Sequence, residues 1–220
     1  MNLFSVLRDS WYFFSHNLVA IARLCLPLIV LEGLLLQQVG NLVAAESATL
    51  SRLIAGLLFY PLYSAALILF VDARSQGLQP HGRDLMAASL RLWPRFALLA
   101  GLNTAAILLG ASLFVLLGLW LMVKLAFAEY LLVLRGLSPM QALQQSFTMS
   151  RGYFWPMLGA ILIIMLPLWL LDSWSQANET LANNALGSLL VDCMSRFLQL
   201  FMSVVVFRLF MLRSSQPDAE

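Results

Sequence analysis

Charged residues are scarce in this sequence. Only 11% of its 220 residues are Asp, Glu, Lys or Arg, whereas 61% are hydrophobic. Soluble domains typically carry about a quarter charged residues, and one globular core of this length cannot bury so large an apolar excess. The composition therefore excludes an ordinary soluble domain and predicts an all-α polytopic membrane protein, a helical bundle whose apolar surface faces lipid.

The residues and motifs of common catalytic sites are also missing. The only two histidines lie outside the long hydrophobic runs, and Cys25 and Cys193 lie inside them, where we expect buried, unpaired thiols. No HExxH, CxxC, GxSxG or Gly-rich phosphate loop occurs. We therefore expect no catalytic residues, no bound metal and no cofactor, and we expect that the protein is not an enzyme.

Strong charge of either sign is absent as well. The net charge is +2, and the arginines between the second and third hydrophobic runs are scattered rather than clustered, which argues against a nucleic-acid partner. Membrane lipids are the expected partners, while protein partners and a homo-oligomer are left open. Arg8 and Asp9 stand where a signal peptide would have its basic segment, so we expect the first hydrophobic run to be retained.

Long hydrophobic runs are what the chain has in abundance. A helix needs about 20 apolar residues to cross a bilayer. As one helix, segment 96–134 would be about 58 Å long, roughly twice the membrane thickness, so it must fold back, and Gly118 favours a turn at 116–120. The sequence thus predicts six transmembrane helices, at about 18–36, 53–71, two within 96–134, 157–171 and 188–212.

The distribution of arginine predicts an orientation. Segments 72–95 and 135–156 contain arginine, and a further arginine begins the C-terminal tail, whereas 38–51 and 172–187 contain neither Lys nor Arg. Positive residues are enriched in cytoplasmic loops, so both termini are predicted to be cytoplasmic. The polar tail 213–220 is expected to be disordered.

An amphipathic segment precedes three of the predicted spans, at 2–14, 84–94 and 138–156. In the third segment Ser138 can cap a helix, Pro139 suits its first position, Gln141 completes a capping box and Gly152 ends the helix. We expect these segments to form interfacial helices that lie flat on the cytoplasmic leaflet.

The chain resembles itself at an offset of 140 residues. Between 3–32 and 143–172, ten of thirty positions are identical, including Pro27 with Pro167, and Glu32 faces Asp172. We predict a single membrane domain, 1–212, built from three pseudo-repeats at about 3–71, 84–134 and 138–212. Each pseudo-repeat would consist of an interfacial helix followed by a transmembrane hairpin.

Charged residues inside the spans are the candidate site, because a charge in hydrocarbon needs a partner or water. By depth, Arg23 could pair with Glu129, and Asp192 could pair with Arg196 one turn later. Two interpretations remain open: a polar cavity for a solute, an ion or a proton, or ion pairs that only fix the packing. The set is Arg23, Glu32, Arg52, Lys124, Glu129, Asp192 and Arg196.

Three prolines lie within the predicted spans, namely Pro27, Pro61 and Pro167. Proline removes a backbone hydrogen bond and bends a helix. We predict a helix kink at each of them, which either shapes the bundle or opens backbone along a cavity.

Segment 118–161 carries three motifs in succession: an "LVLxG" turn at 132–136, "SPxxALxxS" at 138–146, and "GxxW" at 152–155. With the N-terminal "DSWYFFSHN", these motifs resemble the YciC-type inner-membrane proteins of Gram-negative bacteria. They are more distantly similar to the membrane domain attached to some glycerophosphodiester phosphodiesterases. The resemblance implies a multi-pass protein of the bacterial cell inner membrane with no assigned catalytic residues.

These observations lead to one functional expectation and two alternatives. We expect a multi-pass membrane protein of unassigned molecular function that is linked to lipid or envelope homeostasis. One alternative is a small transporter or lipid flippase with a polar intramembrane cavity. The other is a non-catalytic scaffold that binds a partner through residues such as Phe147 and Trp155.

Overall fold

The chain forms a bundle of α-helices in a computed structural model that describes residues 3–42, 45–150, 152, 154–177 and 185–214. No strand occurs among these residues. The side chains of Arg52 and Asp172, and residues 215–220 of the predicted tail, lie outside this description. The helices are α1 (Leu3–His16), α2 (Leu18–Leu42), α3 (Ala45–Ser75), α4 (Gly82–Leu113), α5 (Val115–Leu125), α6 (Ala128–Arg135), α7 (Pro139–Met149), α8 (Phe154–Ala177) and α9 (Ala185–Ser214).

Six helical segments are long and apolar enough to cross a membrane. The prediction of an all-α protein with six candidate spans is therefore confirmed. The segments are Leu18–Val39, Leu53–Ser75, Gly82–Leu113, Val115–Arg135, Phe154–Leu171 and Leu189–Ser214.

The chain reverses between the third and fourth spans at a position before 116–120. The prediction of a turn at 116–120 is therefore wrong. Phe114 is the single extended residue between α4 and α5. The two helices pack closely just beside it, because Gly110, Ala111 and Gly118 have little or no side chain. A Cβ atom added at Gly118 would lie 2.7 Å from the Cβ of Ala111. Gly118 therefore serves the contact between the helices rather than the turn.

The amphipathic segment at 84–94 is not a separate helix, contrary to prediction. It continues into the third span as α4, which runs unbroken through Pro94. Leu85, Ser89, Phe96 and Leu99 are all buried, and their spacing places them on one face of a helix. The segment and the span therefore pack as one helix.

The predicted cap of α7 is present. The backbone N–H of Ser138 donates a hydrogen bond to Oε1 of Gln141 at 3.3 Å, Pro139 occupies the first turn, and Gly152 has a positive φ of 85°. α7 packs on α4, α5 and α6 through a buried face that contains Ser146. This packing holds α7 against the fourth span.

The three prolines of the predicted spans interrupt no helix, and the kinks predicted at them stay predictions. Pro27, Pro61 and Pro167 each lie inside a continuous helix, in α2, α3 and α8 respectively. The break within a span occurs instead in the fourth, where Ala126 and Phe127 separate α5 from α6. No proline or glycine marks that break in the sequence.

The helices that follow one another also pack together: α2 on α3, α4 on α5, and α8 on α9. The contact of α3 with α4 and that of α2 with α9 join these pairs into one bundle. Some positions 140 residues apart share burial, as in Ser10 with Ser150 and Ile21 with Ile161, whereas Ile29 is buried and Trp169 is exposed. The threefold repeat stays a prediction, and this shared burial is what such a repeat would produce.

Candidate functional site

A cavity of about 430 Å³ lies inside the bundle, lined by residues of α2, α3, α4, α5, α6, α8 and α9. We call it the central cavity. At 1.5 Å per residue, Glu32 lies about 21 Å along α2, and Arg196 lies about 27 Å before the end of α9. Both side chains therefore belong to the interior of the spans rather than to their ends.

An ion pair forms one wall of the central cavity. Nη1 of Arg196 donates a hydrogen bond to Oε1 of Glu32 and so joins α9 to α2. The side chain of Glu32 is fully buried, and its Oε2 has no hydrogen-bond partner among the described residues. One oxygen of this carboxylate is thus buried without a hydrogen-bond donor.

A second carboxylate, Glu129, lines the cavity from α6. Its Oε1 and Oε2 accept hydrogen bonds from the hydroxyl of Tyr60 at 2.8 and 2.9 Å, and Oε2 also accepts one from Ser64 at 3.3 Å. Tyr60 and Ser64 are four residues apart on α3, so both point to the same side. Glu129 therefore has neutral donors, whereas Glu32 has a cationic one.

The break in the fourth span explains how Glu129 is held there. Because α6 begins at Ala128, Glu129 lies in its first turn, where the helix dipole favours a negative charge. A helix break leaves backbone carbonyls without their usual donors. The hydroxyl of Ser146 on α7 donates to the carbonyl of Lys124 at 2.7 Å, which stabilises the break from outside the span.

Further polar side chains complete the lining. Tyr130 donates its hydroxyl hydrogen to the carbonyl of Ser203 at 2.7 Å, so it is already satisfied. Oδ1 of Asn103 is buried and has no partner among the described residues. With Oε2 of Glu32, it gives the cavity two unpartnered acceptors. The charged side chains of the lining are, formally, two carboxylates and one guanidinium.

Glu32, Glu129 and Arg196 are the candidate residues that the structure brings together around this cavity. Lys124 is close to Glu129 in sequence, but its Nζ lies over the ring of Trp120, 5.8 Å from the ring centroid. Asp192 lies exposed one turn before Arg196. The side chain of Arg52 lies outside the described residues.

Arg23 does not pair with Glu129, although similar depth suggested that it could. Arg23 is exposed on α2, while Glu129 bonds to Tyr60 and Ser64 of α3. Matching charges by depth alone leaves hydroxyl donors out. The sequence does indicate these donors, because Tyr60 and Ser64 lie one helical turn apart inside the second span.

The fold and the cavity define a class: a helical membrane protein with six candidate spans and a polar cavity within the bundle. No family model, no curated protein and no solved structure matches this chain. Membership of the YciC-type family therefore stays a prediction.

Proposed function

We propose that this protein is a transporter that binds a small cationic solute in the central cavity and carries it across the membrane. The observation that supports this most directly is the arrangement of Glu129. It faces the cavity with hydroxyl donors only, and no basic side chain forms an ion pair with it among the described residues. A carboxylate held in this way inside a membrane is a typical cation-binding group.

The charge of the cavity favours the same solute. Arg196 offsets Glu32, which leaves the charge of Glu129 without a cationic partner in the lining. Oε2 of Glu32 and Oδ1 of Asn103 add two buried acceptors without donors. A solute with an ammonium group would supply both the missing charge and the missing donors.

The size and position of the cavity fit a carrier of small molecules. A volume of about 430 Å³ lies within the usual range of small-molecule pockets, roughly 300–1,000 Å³. A broken helix beside the binding group is also a recurrent feature of transporters, whose sites lie near the middle of the membrane. Here the break precedes Glu129 by two residues.

Binding and uptake by the purified, full-length protein test the proposal. Putrescine, choline and lysine serve as cationic probes, with glutamate and succinate as anions of comparable size. We expect at least one cation to raise the melting temperature in detergent micelles and to enter proteoliposomes that contain the protein. Glu129→Gln should weaken that binding by about tenfold or more, because a charge-assisted contact is lost.

Asp84→Asn is the matched control, since Asp84 is an exposed acid in the first turn of α4. It should bind and transport like the unaltered protein. Stabilisation by the anions alone, equal binding by the Glu129→Gln variant, or no response to any cation would each contradict the proposal.

We also propose a bacterial inner-membrane location with both termini in the cytoplasm. In a chain without Cys25 and Cys193, a cysteine placed at His81 should react with an impermeant maleimide only from the cytoplasmic side. A cysteine at Phe114, which is exposed at the tip between α4 and α5, should react only from the opposite side. Reaction of both positions from one side would contradict the orientation.

The other expectations stay predictions. A link to lipid or envelope homeostasis is compatible with a membrane carrier. Of the two residues assigned to a scaffold surface, Phe147 packs edge-on against Trp120 at 5.7 Å between ring centroids, while Trp155 is 77% exposed. Trp155 is therefore the better position at which to test partner binding, by replacement with serine and co-purification.

A further inference from the structure

A second pocket, of about 560 Å³, lies between α1, the last turns of α3 and the last turns of α9. We call it the arginine pocket, because Arg8, Arg74 and Arg208 line it. Arg74 lies one residue before the end of α3, and Arg208 lies six residues before the end of α9. The pocket is therefore at the edge of the spans, on the side of the termini, and is separate from the central cavity.

The contacts inside the arginine pocket leave most of its positive charge available. Nη2 of Arg208 lies 3.8 Å from Oδ2 of Asp9, the acidic residue of the lining. The guanidinium of Arg74 lies 5.9 Å from the centre of the Phe70 ring, and Arg8 is exposed. Three arginines and one carboxylate thus line the pocket, which makes the lining formally +2 before His16 is considered.

Ser10 gives an independent indication of a ligand. It lines the same pocket and is only 2% exposed, yet its hydroxyl has no hydrogen-bond partner among the described residues. A buried hydroxyl without a partner destabilises the fold unless something bonds to it. A ligand oxygen in the pocket would satisfy it.

We propose that the arginine pocket binds the phosphate group of an anionic phospholipid headgroup. Guanidinium groups match phosphate oxygens in geometry and charge, and the hydroxyl of Ser10 can donate to a further oxygen. Basic pockets between membrane helices at the headgroup level are a known form of lipid recognition. The chain here builds such a pocket from an N-terminal helix that packs across two span ends.

The test uses the full-length protein in detergent and native mass spectrometry to count bound phosphatidylglycerol, with phosphatidylcholine as the zwitterionic comparison. We expect one tightly held phosphatidylglycerol and no matching phosphatidylcholine. Arg8→Gln combined with Arg74→Gln should weaken binding by about 25-fold, since each arginine near a lipid surface contributes roughly fivefold. Arg83→Gln combined with Arg91→Gln removes the same charge from exposed positions outside the pocket and should leave binding unchanged.

Ser10→Ala separates ligand binding from a structural role. The lipid-free protein should melt at the same or a higher temperature, because the change removes an unpartnered buried hydroxyl, while phosphatidylglycerol should bind several-fold more weakly. This variant also keeps the test decisive if the double arginine variant does not fold.

Inorganic phosphate at constant ionic strength distinguishes the source of the phosphate group. If it displaces the lipid only weakly, the headgroup is the ligand. If it binds the unaltered protein more tightly than the lipid does, and the arginine variant loses that binding, the site is for a soluble phosphate and the lipid assignment is wrong. An equal loss of phosphatidylglycerol binding in both double variants, or equal binding of both lipids, would contradict the proposal that the pocket binds an anionic headgroup.

Discussion

The central cavity and the arginine pocket both contain charged side chains, but these side chains are stabilised in different ways. In the central cavity Glu32 is fully buried and bonded to Arg196, and Glu129 is held by two hydroxyls. In the arginine pocket, Arg208 and Asp9 are each about half exposed and lie 3.8 Å apart. The inner charges have close partners, whereas the outer ones are loosely paired.

The difference follows from depth. A charge in the hydrocarbon layer is costly unless protein groups replace its hydration, so each inner carboxylate is tied to side chains of another helix. At the headgroup level, water and lipid phosphates can solvate a guanidinium. Positions near span ends can therefore keep unbalanced positive charge, and that surplus is what an anionic lipid would recognise.

The largest expected effect comes from breaking the inner ion pair. Arg196→Leu leaves Glu32 buried without a partner, and we expect the free energy of unfolding to fall by about 3–5 kcal/mol. Replacing both Glu32 and Arg196 with leucine should restore most of that stability. Reversible unfolding in mixed micelles measures the stability of the single and the double variant. A double variant as unstable as the single one would refute the assignment of the loss to an unpaired charge.

A smaller effect is expected at the hairpin that positions the fourth span beside the central cavity. Gly118→Ala would force a Cβ to within 2.7 Å of the Cβ of Ala111, and overpacking of this kind costs about 1–3 kcal/mol. Gly56→Ala is the control, because no atom lies within 4 Å of its added Cβ. Similar melting temperatures for the two variants would argue against close contact between α4 and α5.

The hydrogen bond at the helix break should contribute somewhat less. Ser146→Ala removes the donor to the carbonyl of Lys124 and should lower stability by about 1–2 kcal/mol, since a buried acceptor is left unsatisfied. Ser15→Ala, which removes an exposed bond to the carbonyl of Tyr12 beside the arginine pocket, should have almost no effect. Thermal unfolding compares the two, and equal losses would remove the distinction between inner and outer sites.

The smallest expected change concerns the outer pair. Asp9→Asn should alter stability by less than about 1 kcal/mol, because exposed ion pairs contribute little. It also raises the formal charge of the arginine pocket by one, so phosphatidylglycerol should bind more tightly. Lipid titration followed by native mass spectrometry checks this. Weaker lipid binding would indicate that Asp9 orients Arg208 rather than competing with the lipid for it.

Several features of the fold were predictable from local sequence. The six candidate spans follow from hydrophobic length, and the cap of α7 follows from Ser138, Pro139 and Gln141. Both signals are local, since a span needs only its own apolar residues and a capping box only one turn. The turn was misplaced because Gly118 suits either a loop or a close helix contact, and only its distance from Ala111 distinguishes the two.

The pairing of charged groups could be predicted only in part. The sequence identified Glu32, Glu129 and Arg196 as unusual because each is a charge in an apolar run. It could not assign Arg196 to Glu32, since 164 residues separate them. Nor could it locate the helix break beside Glu129. That break contains no proline or glycine, and Ser146 stabilises it from another helix.

The sequence by itself determined that the chain is helical, that it has six segments able to cross a membrane, and that a few of its charges would need partners there, because hydrophobic length and helix capping act over one helix at a time. Only the tertiary structure decided which charges meet, where the fourth span breaks, and that three arginines from α1, α3 and α9 line one pocket. Those outcomes depend on the packing of helices that are far apart in the chain, and that packing is fixed by the fit of whole helix faces.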